Sequence, residues 1–365
     1  MNNGTNTLPQ SGRRERRKNA AALRCVTLLS CLLLMAACTK EPAAEPSGET
    51  VPLNLSAFIT AEARVQSRAI VPGDKFPSDN KIYPIGMWVC SHEDPPTAFT
   101  PAMPGYGNLL ASLGVEAINE NEWRDIWRYT IDGTTYDILS VLRNSGVDIY
   151  AYYPHTASAS DPTAVPFTTG ETDWMWATPV RLTAGDLSGS SVAAPLMFKH
   201  VMTALRVRIK CKYLGNVQLT SMTLTDTESR LYKAGSMNIV ENKLNLSDAD
   251  RIGELKLNSY ADKTVTSSFK DFYILMPPVG NYADGQFELS FVFNNIAAQT
   301  TFRIPNTITK KDPNDPDAPG ETVTITAFEA GKRYTYNLTL DNTMTFEPIG
   351  IDDEWVTVDD IEMEL

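Results

Sequence analysis

The sequence predicts an all-β protein built of β-sandwiches, and three observations carry that expectation. Short stretches of alternating apolar and polar residues recur from about residue 53 to residue 340, which is the two-residue period of half-buried strands. Gly and Pro punctuate these stretches, and no strand-helix-strand rhythm separates them. With 365 residues the chain exceeds one ordinary core, so two domains are expected. The change from one to the other is placed near Leu214–Asn216, giving domains over 53–214 and 215–365.

The start of the chain reads as an export signal. Arg13 to Arg24 is basic, and Cys25 to Ala37 is an apolar run of 13 residues, too short to span ~30 Å of hydrocarbon as a helix. It ends in Leu34-Met35-Ala36-Ala37-Cys38, which resembles the lipobox of bacterial lipoproteins and marks residues 1–37 as a signal peptide and Cys38 as the lipidated residue. Several acyl chains anchor a protein stably where one holds it only marginally. Residues 38–52 are then a tether rich in Pro, Glu and Ala, with too few apolar groups to fold. Lys40-Glu41 resembles the short acidic tag of lipoproteins exported to the surface of Bacteroides-type cells.

Next comes the stretch around which the chain is organised. Leu53, Leu55, Ala57, Ile59 and Ala61 share one parity, while Asn54, Ser56 and Thr60 share the other, the pattern of a half-buried strand. Arg64 and Arg68 follow in a small, polar segment suited to a trypsin-like protease. The expectation is that this strand is a removable part whose place another strand takes.

The body continues in strands. Ile85, Met87 and Val89 alternate with smaller residues, as do Val147, Ile149, Ala151 and Tyr153, with Tyr150 and Tyr152 opposite. Leu196, Phe198 and His200 keep one parity and Leu205, Val207, Ile209 and Cys211 the other, so a bulge or break is expected near Thr203. Arg206, Arg208, Lys210 and Lys212 stand opposite the second set and read as a solvated strand face. Phe272 to Met276 is a continuous apolar run, the look of a strand buried on both faces. Phe287 to Phe293 and Tyr334 to Leu340 alternate again. Short helices are expected only at Asn108–Ser112 and Tyr136–Arg143, and a long hairpin loop at Lys310–Glu321.

Charge and chemistry exclude several functions. Without residues 1–37 the chain keeps 26 basic against 43 acidic side chains, a surface that repels phosphate backbones. His92, His155 and His200 lack metal-ligand spacing, and no serine lies in a nucleophile elbow, so no catalyst, metal site or cofactor is expected. Asp312, Asn314, Asp315 and Asp317 form a calcium-loop fragment whose prolines spoil the spacing. Trp123, Trp127, Trp174 and Trp176 read either as a sugar platform or as packing, and packing is favoured because aromatic residues dominate cores by area. Cys90 and Cys211 read as separate buried thiols.

In order along the chain, the blocks at 53–69, 81–90 (KIYPIGMWVC), 148–154 (DIYAYYP), 196–209 (LMFKHVMTALRVRI), 273–278 (YILMPP), 328–340 (FEAGKRYTYNLTL) and 349–355 (IGIDDEW) resemble the fimbrillins, subunits of the surface fimbriae of Bacteroidales. The resemblance implies two transthyretin-like β-sandwich domains in tandem and a non-enzymatic fimbrial subunit with a role in adhesion. It implies an outer-membrane lipoprotein precursor lipidated at Cys38 and cut by an Arg-specific protease after Arg68, with Arg64 the alternative. The strand of Leu53, Leu55, Ala57 and Ile59 then leaves a groove, and other fimbrial subunits are the partners. The donor is the tail from about Thr343, with Val356 and Val358 on one parity and Ile361, Met363 and Leu365 on the other. Alternatively the tail completes its own domain, or the protein is a surface lipoprotein that binds glycan or host protein without polymerising.

Overall fold

The computed structural model describes residues 49–59, 70–71, 74–75, 84–92, 106–119, 122–131, 133–143, 145–212, 217–258, 263–294, 300–310, 321–340 and 345–352. The expected signal peptide, Cys38, Arg64, Arg68, Leu214–Asn216, the calcium-loop fragment and Val356 to Leu365 lie outside them. The described chain is all β, apart from two short 3-10 turns at Asp186–Ser188 and Asp248–Asp250.

One large sheet of ten strands forms the first half. From one edge to the other its strands run Thr134–Tyr136, Glu122–Ile131, Leu109–Asn119, Ile85–His92, Gly146–Tyr153, Met175–Thr178, Val192–His200, Thr50–Ile59 and Leu139–Leu142, with Val180–Leu182 also pairing to Gly146–Tyr153. The sheet curls on itself. Leu139 and Val141 of one edge strand share a buried cluster with Leu109, Ala111 and Tyr129 from near the other edge, and the Tyr106 hydroxyl donates to the carbonyl of Ser140 at 2.9 Å.

The second half is a sandwich of two sheets. Thr203–Cys211, Lys270–Met276, Arg333–Leu340 and Thr345–Asp352 make one. Val217–Asp226, Glu254–Leu257, Phe287–Phe293 and Thr300–Arg303 make most of the other. Their inward residues, among them Leu205, Val207, Ile209, Leu219, Phe291 and Tyr336, form a single buried cluster. Strand 203–211 thus joins the second core although it precedes the expected change of domain.

A third cluster lies where the two halves meet. Trp88, Cys90, Tyr150, Tyr152 and Trp174 from the first pack with Met202, Ala204, Met237, Ile239 and Leu275. This is why strand 146–153 is buried along its whole length: its odd-numbered residues face the first core, whereas Tyr150 and Tyr152 face the third. Gly86 permits the arrangement, since a Cβ there would fall 2.0 Å from the Tyr152 ring. The Tyr152 hydroxyl then donates to Asn108 Oδ1 at 2.7 Å and accepts from the Thr156 amide at 3.0 Å.

Both expected helices are strands. Residues 109–119 pair with 85–87 and with 122–130, and 139–142 pair with the first strand. Leu109 and Ala111, and likewise Leu139 and Val141, are buried alternately, so the period of two prevails over helical spacing once a sheet edge is available. The basic row on strand 203–211 also departs from a fully solvated face. Arg206 is buried and its guanidinium is paired to Asp271, Arg208 shares that carboxylate at 3.3 Å, and the Lys210 amine sits 4.2 Å from the centre of the Phe269 ring. The break expected near Thr203 is present, and it separates two strands that belong to different sheets. The residues on either side of the expected loop form a hairpin in which Lys310 pairs with Glu321, and 311–320 lie outside the described residues.

The register of the first strand makes a direct prediction. Leu53 is 4% exposed whereas Asn54 is open to solvent. Leu53→Ala should therefore lower unfolding stability by about 2–5 kcal/mol, and Asn54→Ala by less than about 1 kcal/mol, in denaturant titrations of the uncut chain. Equal losses would mean that the strand is not seated in this register.

Candidate functional site

The strongest candidate for a working part is the first strand and the slot that holds it. Val51, Leu53 and Leu55 are buried, and Ala57 is partly buried against the same core. Val51 was not anticipated, although its parity matches, because residues 38–52 read as a tether; the strand in fact begins at Thr50. The strand changes partner at that point. Thr50 to Leu53 pair antiparallel with 139–142, while Leu53 to Ile59 pair parallel with 192–198. Pro52, which has no amide proton to donate, stands before the first residue of the parallel ladder and so removes no bond from it.

This is an internal strand, with a neighbour on each side. Its absence would leave the 192–198 backbone without partners on that flank, above the buried Ala194, Leu196 and Phe198. Strand 139–142 would lose its one ladder among the described residues. Burying Val51, Leu53 and Leu55 at ~1.5–3 kcal/mol each supplies on the order of 5–9 kcal/mol before ordering costs.

At the entrance, where strand 50–59 begins, lies a contact that sequence reasoning missed. The Arg143 amide donates to the Glu49 carbonyl at 2.9 Å. Its side-chain Nη1 lies 2.7 Å, 2.8 Å and 3.2 Å from the carbonyl oxygens of Ser188, Gly189 and Leu187. Its Nε lies 3.2 Å from the Glu49 carboxylate, an ion pair too oblique for a formed hydrogen bond. Further along, Asn54 Nδ2 donates to Ser191 Oγ at 3.2 Å.

The other candidates resolve into packing. Trp174 is buried, with its indole N–H donating to the Thr168 carbonyl at 3.1 Å and its ring 6.4 Å from that of Phe167. Trp176 and Trp127 are partly buried against the third and first clusters; the Trp123 side chain lies outside the described residues. Cys90 and Cys211 are buried, form no disulfide with each other, and lie in different clusters. Burial, with Asp148 nearby, pushes the Cys90 thiol up to about 12, which keeps it protonated and unreactive. Of the three histidines, His155 lies against Tyr152 and is lowered by burial. His200 faces the wholly buried Asp173, with Nδ1 2.8 Å from the carboxylate. Among the described residues no group of three or more His, Cys, Asp or Glu is placed to hold a metal ion, and no helix is long and apolar enough to cross a membrane.

Asp173 and His200 fix the end of strand 192–200 to the segment before strand 175–178, next to the backbone bond from the Val201 amide to the Trp174 carbonyl. Burial raises the Asp173 carboxyl above its usual range, and His200 offsets this in part. Asp173→Ala should cost about 3 kcal/mol, as for a broken buried pair, and His200→Ala on top of it should cost less than it does alone. The folded chain keeps the Asp173 proton to higher pH than the unfolded chain does. That contribution is complete below the ordinary aspartate range and is lost as pH rises through the folded value. Relative to Asp173→Asn, the wild type should gain stability on acidification in denaturant titrations, and the opposite trend would mean that the pairing with His200 outweighs burial at this carboxyl.

Comparison with known proteins adds the following. A family model described as fimbrillin-like matches residues 129–354. No curated protein matches the sequence. A Bacteroides ovatus ATCC 8483 structure described as a candidate cell adhesion protein aligns with 85% of this chain and 100% of its own, at 16% identity and a TM-score of 0.51. One from Bacteroides uniformis ATCC 8492, described in the same way, covers 84% of this chain and 99% of its own, at 15% identity and a TM-score of 0.49. At such identities the first likeness speaks for the fold alone.

Proposed function

The chain belongs to the fimbrillin-like family, and from that premise we propose that it is a non-enzymatic structural subunit of cell-surface fimbriae, assembled by strand exchange and contributing to adhesion. The observation that carries the proposal is the place of strand 50–59. It comes first among the described strands, it fills an internal position of the sheet, and Arg64 and Arg68 follow it in sequence.

In this reading Cys38 carries the lipid that holds the precursor at the outer membrane. A protease specific for arginine cuts after Arg68, or after Arg64, and strand 50–59 departs. What remains is a row of unpaired N–H and C=O groups along 192–198 beside an apolar trough, a surface that captures an extended peptide. Head-to-tail capture does not close on itself, so copies add into a filament.

The donor is the end of the chain. Residues 345–352 already pair with 333–340 of their own sheet, so the part that travels is the segment beyond Asp352. The two halves divide as domains near the third hydrophobic cluster, and the adhesive role agrees with the cell-adhesion description of the aligned Bacteroides proteins.

Digestion of purified uncut protein with an Arg-specific protease tests this. A single early cut after Arg68 or Arg64, followed by a ladder of oligomers on gels run without heating, is expected. A chain that stays monomeric after complete cutting would contradict the proposal.

A further inference from the structure

The slot has two walls, strand 139–142 on one side and strand 192–200 on the other, with strand 50–59 between them. Walls flanking one missing strand stand about 9.5 Å apart, twice the ladder spacing, and nothing in the ladders themselves would hold that gap. Arg143 bridges it. The residue directly follows strand 139–142, and its guanidinium reaches the carbonyls of Leu187, Ser188 and Gly189, just ahead of strand 192–200. None of these contacts involves strand 50–59. They would outlast its departure and leave a cation fixed at the slot entrance. The side chain is 22% exposed, and in the uncut chain its acidic partner is Glu49, two residues before Val51.

We propose that Arg143 is the register pin of the slot: it staples the walls together and selects an entering strand with a carboxylate two residues ahead of its first buried side chain. The proposal rests on the strand-exchange reading above. It also assigns the occupant, as the segment Asp359-Asp360-Ile361-Glu362-Met363-Glu364-Leu365 of a second copy. Laid on Glu49 to Leu55, this segment puts Asp359 where Glu49 stands and Ile361, Met363 and Leu365 where Val51, Leu53 and Leu55 are buried. Its remaining acids fall at Thr50, Pro52 and Asn54, none of which is buried. The rival register starts with Glu354 at the position of Glu49 and seats Val356 and Val358, but it drives Asp360 into the buried place of Leu55, an unpaired charge out of water. The pin also fixes direction, because a reversed strand would bring its carboxylate to the far end.

The test uses the full chain cut by an Arg-specific protease, with labelled synthetic peptides exchanging into it. A Glu49–Ile59 peptide should enter. Its Glu49→Gln form should bind about three- to fivefold more weakly, as for a partly exposed ion pair, and the difference should vanish in an Arg143→Gln chain. A Thr357–Leu365 peptide should compete at least tenfold better than an Asp353–Asp360 peptide. If the Glu49–Ile59 peptide does not enter, the slot and the pin both fall. If it enters but the Glu and Gln forms bind alike, or the preference survives in Arg143→Gln, the pin falls and the slot stands. If Asp353–Asp360 competes as well as Thr357–Leu365, the assigned occupant is wrong. Should Arg143→Gln fail to fold, the Glu and Gln peptides on the wild-type chain still decide the matter, and the preference must shrink as salt is raised.

Discussion

The structure depends on a strand of ten residues that pairs on both sides. Thr50–Ile59 is parallel to one neighbour and antiparallel to another, so it supplies hydrogen bonds to two stretches of backbone that are remote from it in sequence. Its buried side chains complete the first hydrophobic cluster. A sheet edge is tolerable when it is short, charged or covered, but a gap within a sheet exposes two edges and the apolar floor between them. The first strand is therefore costly to lose, and its place suits an extended segment of like pattern.

The second half is built differently. Its two sheets enclose a single cluster without help from the first strand, and a buried Asp226 locks the turn at 226–230 by accepting bonds from the Arg230 guanidinium and from the amides of Glu228 and Arg230. Burial would raise that carboxyl, yet these bonds outweigh it and hold it below the usual range. The half that holds the first strand is thus joined, through the third cluster, to one whose core is complete in itself.

Much of this is legible in the sequence because strand parity is a local property. Leu53 and Leu55, Ile149 and Ala151, and Phe287 to Phe293 announce their buried faces without knowledge of their neighbours. The misses have physical causes. Leu139 and Val141 read as part of a helix because a run as short as Ile138-Leu139-Ser140-Val141-Leu142 satisfies both periods, and only the first strand beside it selects one. Arg206 read as solvated because its Asp271 partner lies on another strand. Arg143 carried no signal, since its role arises from where three backbone carbonyls end up. Asp173, within a run of tryptophans, gave no hint of its buried histidine.

The central claim is that strand 50–59 is an internal and replaceable member of the first sheet. Amide hydrogen exchange at residues 192–198 and 139–142, followed in the uncut chain, in the freshly cut chain and in the assembled oligomer, tests it most directly. The account predicts strong protection before cutting, loss of protection confined to these two stretches once the strand has left, and its return on assembly. Protection that is unchanged by cutting, or absent from the start, would contradict it.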